Sequence, residues 1–351
     1  MNFDSSKLYA AVMAGGRGER FWPAGRRKRP KQFLPLLGDR TMLEETVQRL
    51  FPLIAPERLL VIVGDEYAER VRELLPIPAE NVVGEPEGRD TAPCVALAAA
   101  LIRRRDPDAT MALLPADHVI RPAKLFQETL RSAAAAAQRG ALVTLGVMPS
   151  FASTGYGYLH LGRSEQEGFR EVLEFREKPD AATAERFFRD GNYRWNSGIF
   201  VWRCDAIGAA FREFAPALGA KFDAWSRGAD YRRDFAECEK ISIDYAVMEK
   251  ARNVIAGDAG FYWNDLGCWS SLRTVLPPDA NGNAVRGRAV AIDCSGSVIM
   301  NDDAEGLLGV IGMHGVAVVK SAGGVLVVPL SEEQKVRELV ERLRNEAPEF
   351  L

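Results

Sequence analysis

Short, uniformly apolar segments alternate with amphipathic segments over residues 1–150. The apolar segments predict buried strands, at 8–13, 58–64, 81–84, 110–115 and 141–147. The segments between them have helical periodicity, at 41–50, 66–75, 91–105 and 125–139. Strands that are apolar on both faces are typical of parallel sheets covered by helices. The alternation therefore predicts an α/β fold with a doubly wound, mostly parallel, Rossmann-like sheet.

The pattern changes after Pro149. Antiparallel strands are predicted at 155–161 and 170–179, and helices at 181–190 and over most of 205–255. From about residue 281, short β segments separated by glycines predict a small β-helix-like domain. We therefore expect a large N-terminal domain over 1–280 and a small β-rich domain, ending in a helix, over 281–351.

Composition narrows the class of protein. The 351 residues are 47% hydrophobic and 26% charged, which is ordinary for a globular protein with one large and one smaller domain. The net charge of −3 gives no broad attraction for nucleic acid or an anionic membrane, so neither is an expected partner. The first residues lack the apolar core of a signal peptide, and the five scattered cysteines fit a reducing compartment, so we expect a cytoplasmic protein. With three histidines, a bound metal is expected to be a hard cation on carboxylates.

A glycine-rich loop follows the first predicted strand. It contains Ala14, Gly15, Gly16, Arg17 and Gly18, and it is followed by Arg20 and by Lys31 after Pro30. Glycines allow backbone N–H groups to approach an anion closely, and arginine and lysine neutralise phosphate charge. The loop therefore predicts a triphosphate site, although its spacing matches neither the P-loop nor the dinucleotide motif. A strand-to-helix turn with exposed arginines is the alternative.

This loop resembles that of the nucleotidyltransferases that make nucleotide sugars, which carry Gly-Gly-x-Gly-x-Arg-x-x-Pro followed by Pro-Lys. In its fuller form, over 14–23 and 29–34, it is similar to the mannose-1-phosphate guanylyltransferase family. That family usually has Leu-Ser at the positions of Ala24 and Gly25, and we expect the difference to loosen the loop. The resemblance covers 8 to about 275. Longer relatives carry an added isomerase domain, so a short, single-activity member is expected.

A second loop contains Glu85, Gly88, Arg89, Asp90 and Thr91. A carboxylate can accept two hydrogen bonds, from guanine N1–H and N2–H, so Glu85 or Asp90 is a candidate for selecting guanine over adenine. The string Glu-Pro-x-Gly-Arg-Asp-Thr-Ala-Pro also resembles the guanylyltransferase subgroup. The alternative is a structural loop in which Asp90 or Thr91 caps the following helix, and these residues can do both.

Two aspartates predict a site for a divalent cation. Asp117 lies just past a buried strand, where a carboxylate can hold Mg²⁺ together with phosphate oxygens. The resemblance implies that Asp265, in a Trp-x-Asp-x-Gly-x-Trp segment, is the second ligand. A turn or helix-cap aspartate is the alternative for Asp117. Mg²⁺ or another divalent cation is therefore the expected cofactor.

The resemblance also implies a sugar-phosphate site. Glu177 is implied to contact sugar hydroxyls, and Lys178 the sugar phosphate. The other implied contacts are Gly157, Asn196, Ser197 and Gly198. A side-chain amide and glycines allow close, directional contact with hydroxyls. The alternatives are an ordinary ion pair at a strand end and a polar turn. No role is assigned to Asp244 and Glu249, two acids in a helical segment that also resembles the family.

The expected reaction is transfer of GMP from GTP to α-D-mannose 1-phosphate, which gives GDP-mannose and pyrophosphate. The expected catalytic residues are Arg20, Lys31, Asp117 and Lys178. They would position the reactants and neutralise charge during in-line attack on the α-phosphorus, with no covalent enzyme intermediate.

Three alternatives stay open. The first is a nucleotidyltransferase for another sugar 1-phosphate, such as a heptose phosphate, or for another base. The second is a molybdopterin guanylyltransferase, a shorter type of protein without an equivalent of 177–179. The third is a non-catalytic nucleotide-binding regulator, which should have lost one of the basic or acidic residues, whereas all are present here. A homodimer is a further expectation, since the apolar strands of the tail are suited to packing against a neighbouring subunit or the large domain.

Overall fold

The computed structural model describes residues 3–16, 18–166 and 168–351, so the predicted phosphate ligand Arg17 lies outside the described residues. The chain forms two compact units. Unit 1 comprises Met1–Gly15, Val47–Pro115 and Ile120–Trp263, and unit 2 comprises Gly16–Thr46, Ala116–Val119 and Asn264–Leu351. Each unit is made of three separate stretches of the chain. The units therefore differ from the predicted domains 1–280 and 281–351, and that division stays a prediction.

The elements follow the predicted order. The strands are β1 (Leu8–Met13), β2 (Leu59–Gly64), β3 (Val82–Glu85), β4 (Thr110–Pro115), β5 (Val119–Arg121), β6 (Leu142–Val147), β7 (Tyr158–Gln166), β8 (Phe169–Arg176), β9 (Tyr193–Arg203), β10 (Val254–Asp258), β11 (Tyr262–Asn264), β12 (Ala284–Arg286), β13 (Ala289–Ile292), β14 (Val298–Asn301), β15 (Leu308–Ile311), β16 (Val316–Ser321) and β17 (Gly324–Pro329). The α-helices are α1 (Met42–Leu50), α2 (Asp65–Leu74), α3 (Thr91–Arg105), α4 (Ala123–Ala137), α5 (Ala181–Asp190), α6 (Cys204–Phe214), α7 (Pro216–Ser226), α8 (Leu272–Val275) and α9 (Val336–Glu346). In the described part of the chain, no helix has the length and apolar composition needed to cross a bilayer.

Unit 1 is built on a mixed sheet with the strand order β3-β2-β1-β4-β9-β6-β10-β8-β7. Strands β3, β2, β1 and β4 are parallel, as are β6 and β10. Strand β9 lies antiparallel between β4 and β6, within a sheet that was predicted to be mostly parallel. Its side chains are buried on both faces, and such a pattern reports burial but not strand direction. Helix α3 packs closely against α6 and α7, which its alanine-rich sequence permits.

The register aligns the ends of the four parallel strands. Met13 at the end of β1 is the partner of Ile62 in β2 and of Pro115 in β4. Gly64 and Glu85, at the ends of β2 and β3, are also partners. Loops that leave from this one edge of the sheet are where α/β proteins bind ligands. The sheet therefore positions the loops that follow β1 and β3.

Unit 2 contains the β-helix-like part of the chain. Strands β12, β14 and β16 are parallel neighbours, β17 is antiparallel to β16, and β13 and β15 form a second parallel pair. Buried side chains from Trp269, Met300, Val319 and Val340 belong to one core of this unit. Helix α9 therefore packs on the same core as the strands.

A buried carboxylate in unit 2 holds the segment that follows Asp265. Glu333 is 7% exposed, and its oxygens accept hydrogen bonds from the Ser270 backbone N–H at 2.8 Å and from the Ser270 hydroxyl at 2.5 Å. Both donors are satisfied by this one side chain. The contact connects the chain before α9 to the turn that precedes α8.

We predict that Glu333→Ala lowers the free energy of unfolding by about 1–3 kcal/mol, because it leaves these buried donors without an acceptor. Urea denaturation measures the change. The neighbouring Glu332→Ala is the control, since Glu332 is partly exposed and pairs with Lys335, and it should stay within about 0.5 kcal/mol of the wild type. Equal stability of the two variants would show that the Glu333 contact contributes little.

Candidate functional site

Lys31 is the centre of the candidate site in unit 2. Its side chain is buried, and its Nζ contacts a carboxylate oxygen of Asp117 at 2.7 Å and donates to the backbone oxygen of Asp265 at 2.5 Å. These are the Nζ hydrogen-bond and ion-pair partners found among the described residues, and an ammonium has three N–H donors. One donor therefore remains for a phosphate oxygen.

Gly18 allows the glycine-rich loop to lie directly against Lys31. Its φ is 64°, and a Cβ at this position would collide with the Cβ of Lys31 and come within 2.7 Å of its backbone nitrogen. Both the left-handed backbone and the close approach require glycine. The predicted relation between the loop and Lys31 is thus built into the local backbone.

The aspartate beside Lys31 is ionised. Burial opposes ionisation of Asp117, but the ammonium of Lys31, and after it His118, outweigh that effect and hold the pKa of Asp117 below its usual value. Asp265 and Arg20 lie near one another, because a carboxylate oxygen of Asp265 and a guanidinium nitrogen of Arg20 come within 3.2 and 3.5 Å of the point where a Cβ on Gly267 would stand. The candidate site in unit 2 therefore contains two basic side chains, Lys31 and Arg20, and two acidic ones, Asp117 and Asp265.

Asp117 and Asp265 are the candidate ligands for a divalent cation in unit 2. Among the described residues, no group of three or more His, Cys, Asp or Glu side chains is arranged to hold a metal. Mg²⁺ needs no such group when one or two carboxylates bind it together with substrate phosphates. Hard oxygen donors that are ionised at neutral pH match this requirement, and Asp117 meets it.

The segment Ala24-Gly25 is packed tightly. Ala24 is buried, and the Gly25 N–H donates to the Phe21 carbonyl at 2.7 Å. A Cβ on Gly25 would come within 2.7 Å of the Gly18 carbonyl oxygen, so the glycine permits a close contact between two parts of the loop. We expected Ala24-Gly25, in place of the family's usual Leu-Ser, to loosen the loop. The loop is instead closely packed at these two residues.

In unit 1, Glu85 is the last residue of β3 and is 6% exposed. Its Oε1 is buried and has no hydrogen-bond partner among the described residues. Burial raises the pKa of Glu85 to about 7, and a contact with the Cys94 thiol only partly opposes this. Its Oε2 lies 3.5 Å from the point where a Cβ on Gly15 would stand. A buried, unpartnered carboxylate oxygen beside a glycine loop is a candidate ligand-binding group.

Three side chains that the sequence did not reveal hold the strand just before Glu85. Arg232 forms a two-point ion pair with Asp65, at 2.7 and 3.0 Å, and Tyr231 donates to the Gly84 carbonyl at 2.9 Å. A Cβ on Gly84 would collide with the Asp65 carboxylate, so only glycine fits beneath this pair. These contacts join residues that are far apart in the sequence, so no local sequence motif predicts them.

Asp90 and Thr91 have structural roles in the second loop. Asp90 is the N-cap of α3, with its carboxylate accepting from the Thr91 N–H at 2.7 Å. The Thr91 hydroxyl accepts from the Ile243 N–H at 2.8 Å. Arg89 pairs with Glu87, and a Cβ on Gly88 would meet no atom within 4 Å. The capping alternative is therefore realised, and Glu85 is the stronger candidate for reading a base.

The predicted sugar-phosphate residues lie together in unit 1. Lys178 contacts Glu177 at 3.0 Å and has a φ of 43°, a backbone conformation that is rare outside glycine and is concentrated at functional sites. A Cβ on Gly157 would collide with a Glu177 carboxylate oxygen and come within 3.3 Å of Asn196. The Glu177 N–H donates to the Glu249 carboxylate at 2.9 Å. Glu249 thus supports the backbone of this site, a role that was not assigned to it from the sequence.

Asn196 is the most constrained of these residues. Its Oδ1 accepts from the Thr144 hydroxyl at 3.0 Å and from the Gly198 N–H at 3.2 Å. Ser197 is buried and its hydroxyl accepts from the Ile199 N–H, so this serine acts locally within β9. Thr144 was missed from the sequence, because it lies within a predicted apolar strand.

The Nucleotidyl transferase family matches residues 9–281, which is more than half of the chain. The chain belongs to this family. The MannoseP isomerase/GMP-like beta-helix domain matches residues 287–343. The nucleotidyltransferase-like fold with a C-terminal β-helix-like domain is therefore confirmed, and every predicted site residue lies within the nucleotidyl transferase match.

Relatives resemble nearly the whole nucleotidyl transferase chain. The Xanthan biosynthesis protein XanB of Xanthomonas campestris pv. campestris (strain B100) is 39% identical, over 97% of this chain and 74% of the relative. A protein of Klebsiella pneumoniae named mannose-1-phosphate guanylyltransferase is 37% identical, over 98% of this chain and 75% of its own.

Two solved structures share the fold. A Thermus thermophilus protein described as a mannose-1-phosphate geranyltransferase superposes with a TM-score of 0.89 and 38% identity, over 96% of this chain and 99% of its own. A Helicobacter pylori protein described as a mannose-6-phosphate isomerase has a TM-score of 0.61 and 23% identity, over 74% and 100% of the two chains. The latter likeness concerns the fold alone.

We predict that Glu85→Gln makes this nucleotidyl transferase more stable at about pH 8. The folded protein retains the Glu85 proton up to a pKa of about 7, whereas the usual value is 4.5, so wild-type stability falls as pH rises between these values. The Glu85→Gln variant has no titratable group at this position, so it lacks this contribution to the pH dependence of stability. The gain at about pH 8 is at most about 3 kcal/mol, and it vanishes near about pH 4.

Chemical denaturation at both pH values measures this difference. Glu87→Gln is the matched control, because Glu87 is exposed and pairs with Arg89, and it should show the wild-type pH dependence. If Glu85→Gln also follows the wild-type curve, Glu85 does not titrate near neutral pH.

Proposed function

We propose that this chain transfers GMP from GTP to α-D-mannose 1-phosphate, giving GDP-mannose and pyrophosphate. The observation that carries the proposal is the buried Glu85 carboxylate, whose Oε1 has no partner among the described residues. Guanine offers adjacent N1–H and N2–H donors to such a group, and adenine does not. The name of the Klebsiella pneumoniae relative supports the same reaction.

The groups around the first loop would hold the triphosphate. Lys31 has a donor left after its contacts with Asp117 and Asp265, and Arg20 adds a second cation nearby. Arg17, the remaining predicted ligand, lies outside the described residues. Backbone N–H groups of Ala14, Gly15, Gly16 and Gly18 would approach the phosphates at close range. In unit 1, Glu85, with Gly88, Arg89, Asp90 and Thr91, would receive the base.

Asp117 and Asp265 would hold the divalent cation, with phosphate oxygens as the other ligands. When bound, Mg²⁺ would supply charge neutralisation at the phosphates. Lys31 contacts both aspartates, so it would keep their positions fixed in the absence of substrate. Asp117 is ionised at neutral pH and needs no proton loss to take up a cation.

The second substrate would bind on the other group of residues in unit 1. Lys178 would bind the phosphate of the sugar 1-phosphate, and Glu177 and Asn196 would bind its hydroxyls. Gly157 leaves space for Glu177, and Gly198 and Ser197 shape the turn around Asn196. Burial lowers the pKa of the Lys178 ammonium, but the charge and hydrogen bond of Glu177, together with the charges of Asp244 and Tyr245, outweigh that effect. The pKa is therefore raised, and Lys178 is charged throughout the neutral range.

The reaction itself would need no covalent enzyme intermediate. The sugar phosphate is an anion and attacks the α-phosphorus directly, while pyrophosphate leaves on the opposite side. The residues bind, orient and neutralise charge, which is the dominant protein contribution to such transfers. A different sugar 1-phosphate or base, a homodimer and a cytoplasmic location remain alternatives or predictions.

We predict that pyrophosphate is released when the protein is given GTP and mannose 1-phosphate with Mg²⁺. The assay crosses GTP, ATP, UTP and dTTP with mannose-, glucose- and heptose-1-phosphate, and the GTP–mannose pair should be turned over most efficiently. Glu85→Gln should lose at least about tenfold in kcat/KM for GTP, because an amide cannot accept both guanine donors. Preference for another sugar would support the first alternative, and release with no pair would overturn the proposal.

A further inference from the structure

Asp244 is an acid that the proposed reaction does not use, yet it contacts the proposed sugar site. It begins a π-helical turn, Asp244–Met248, of a kind that is frequent at functional sites. Its Oδ1 accepts a hydrogen bond from Asn196 Nδ2 at 3.2 Å. The segment before it is fixed to the start of α3, because the Ile243 N–H donates to the Thr91 hydroxyl at 2.8 Å.

The direction of the Asn196 amide is determined by its neighbours. The Gly198 N–H, which can only donate, points at Oδ1 at 3.2 Å, so this atom must be the carbonyl oxygen. The NH₂ group is therefore the one that faces Asp244. Asp244 uses one oxygen to hold the amide, and its carboxyl group also interacts with its own backbone N–H.

The charges around Asp244 are mostly negative. The acids that act on it are Glu177 from the end of β8 and Asp90 from the cap of α3, and the cation is Lys178. Lys178 is already paired with Glu177 at 3.0 Å. Tyr245, Glu249 and Lys250 are the other titratable groups in 244–250. Glu249 accepts from the Glu177 N–H, and the Lys250 ammonium donates to the Phe214 carbonyl. Among the described groups that act most strongly on Asp244, Lys178 is the one cation and the others are carboxyl groups.

We propose that Asp244 is a positioning residue of the sugar-phosphate site and acts as a neutral carboxylic acid. In this form it holds Asn196 and leaves Lys178 with one carboxylate partner, so that the ammonium can bind an incoming phosphate. An ionised Asp244 would compete for Lys178 and repel that phosphate. The inference rests on the proposed function, since it assumes that a sugar 1-phosphate binds at Lys178.

The electrostatics of the site agree with this role. Burial, and after it the charge of Glu177, raise the pKa of Asp244 to about 7, with Lys178 only partly opposing them. Near neutral pH the group is therefore poised between its two forms. A bound phosphate dianion adds negative charge and favours the neutral form further. Binding of the sugar phosphate should consequently draw a proton into the site.

The test compares wild type with Asp244→Asn between about pH 6 and about pH 8.5, using the nucleotide and sugar 1-phosphate that the wild type turns over. Ionisation of Asp244 should raise the wild-type KM for the sugar phosphate by about tenfold over this range relative to the variant. The variant is permanently neutral and keeps the Asn196 contact. The KM for the nucleotide should not distinguish the two proteins.

The Asp244→Ala variant distinguishes the role of Asp244 in holding Asn196 from the effect of its charge on Lys178. It removes the acceptor for Asn196, so its KM for the sugar phosphate should be raised at every pH while Asp244→Asn remains as good as the wild type at low pH. If Asp244→Asn follows the wild-type pH dependence, or behaves like Asp244→Ala, the neutral-acid role is wrong. Absence of wild-type turnover would instead refute the proposed function.

A measurement on the wild-type protein avoids any folding defect of the variants. Calorimetric titration with mannose 1-phosphate at about pH 7.5, in buffers of different ionisation enthalpy, gives the number of protons bound on association. Net proton uptake supports a neutral Asp244 in the complex. No uptake, or proton release, overturns it.

Discussion

The contact of one buried lysine with two aspartates determines what unit 2 can do. Lys31 joins the Asp117 carboxylate to the backbone of Asp265, and Gly18 brings the glycine-rich loop against it. A buried ammonium is costly unless it is paired, and a carboxylate in the same place is costly without a cation. The contact therefore keeps the Asp117 carboxylate ionised at neutral pH. It also leaves one N–H of the lysine for an anion, which is the basis for placing a triphosphate there.

In unit 1 the pKa values of two acids are shifted in the opposite direction. Glu85 is buried and Asp244 is partly buried, and desolvation raises the pKa of both to about 7. Such carboxyl groups are poised to donate or accept according to what binds beside them. The structure tolerates the cost because other contacts fix their surroundings: the Asp65–Arg232 pair closes over the strand before Glu85, and Thr144 orients the amide that faces Asp244. Buried acids with fixed neighbours are suited to reading hydrogen-bond donors on a base and a sugar.

Much of this arrangement could be predicted from local sequence. Apolar strands followed by glycine or acidic residues indicated which loops leave one edge of the sheet. The direction of β9 was not predictable, since burial on both faces is the same for parallel and antiparallel neighbours. Arg232 and Thr144 were missed for another reason: one lies on the surface far along the chain, and the other is a polar residue within an apolar strand. Contacts that only the tertiary fold creates leave no periodic signal.

The dissociation constant of GTP for Lys31→Met, measured by calorimetry in the presence of a chelator, tests the central claim most directly. We expect binding at least about tenfold weaker than in the wild type, because a charge-assisted hydrogen bond to phosphate is lost. Lys28→Met, at an exposed lysine three residues earlier, should bind GTP as the wild type does. Circular dichroism establishes that both variants are folded. A folded Lys31→Met protein with wild-type affinity for GTP would contradict the assignment of Lys31 to the triphosphate.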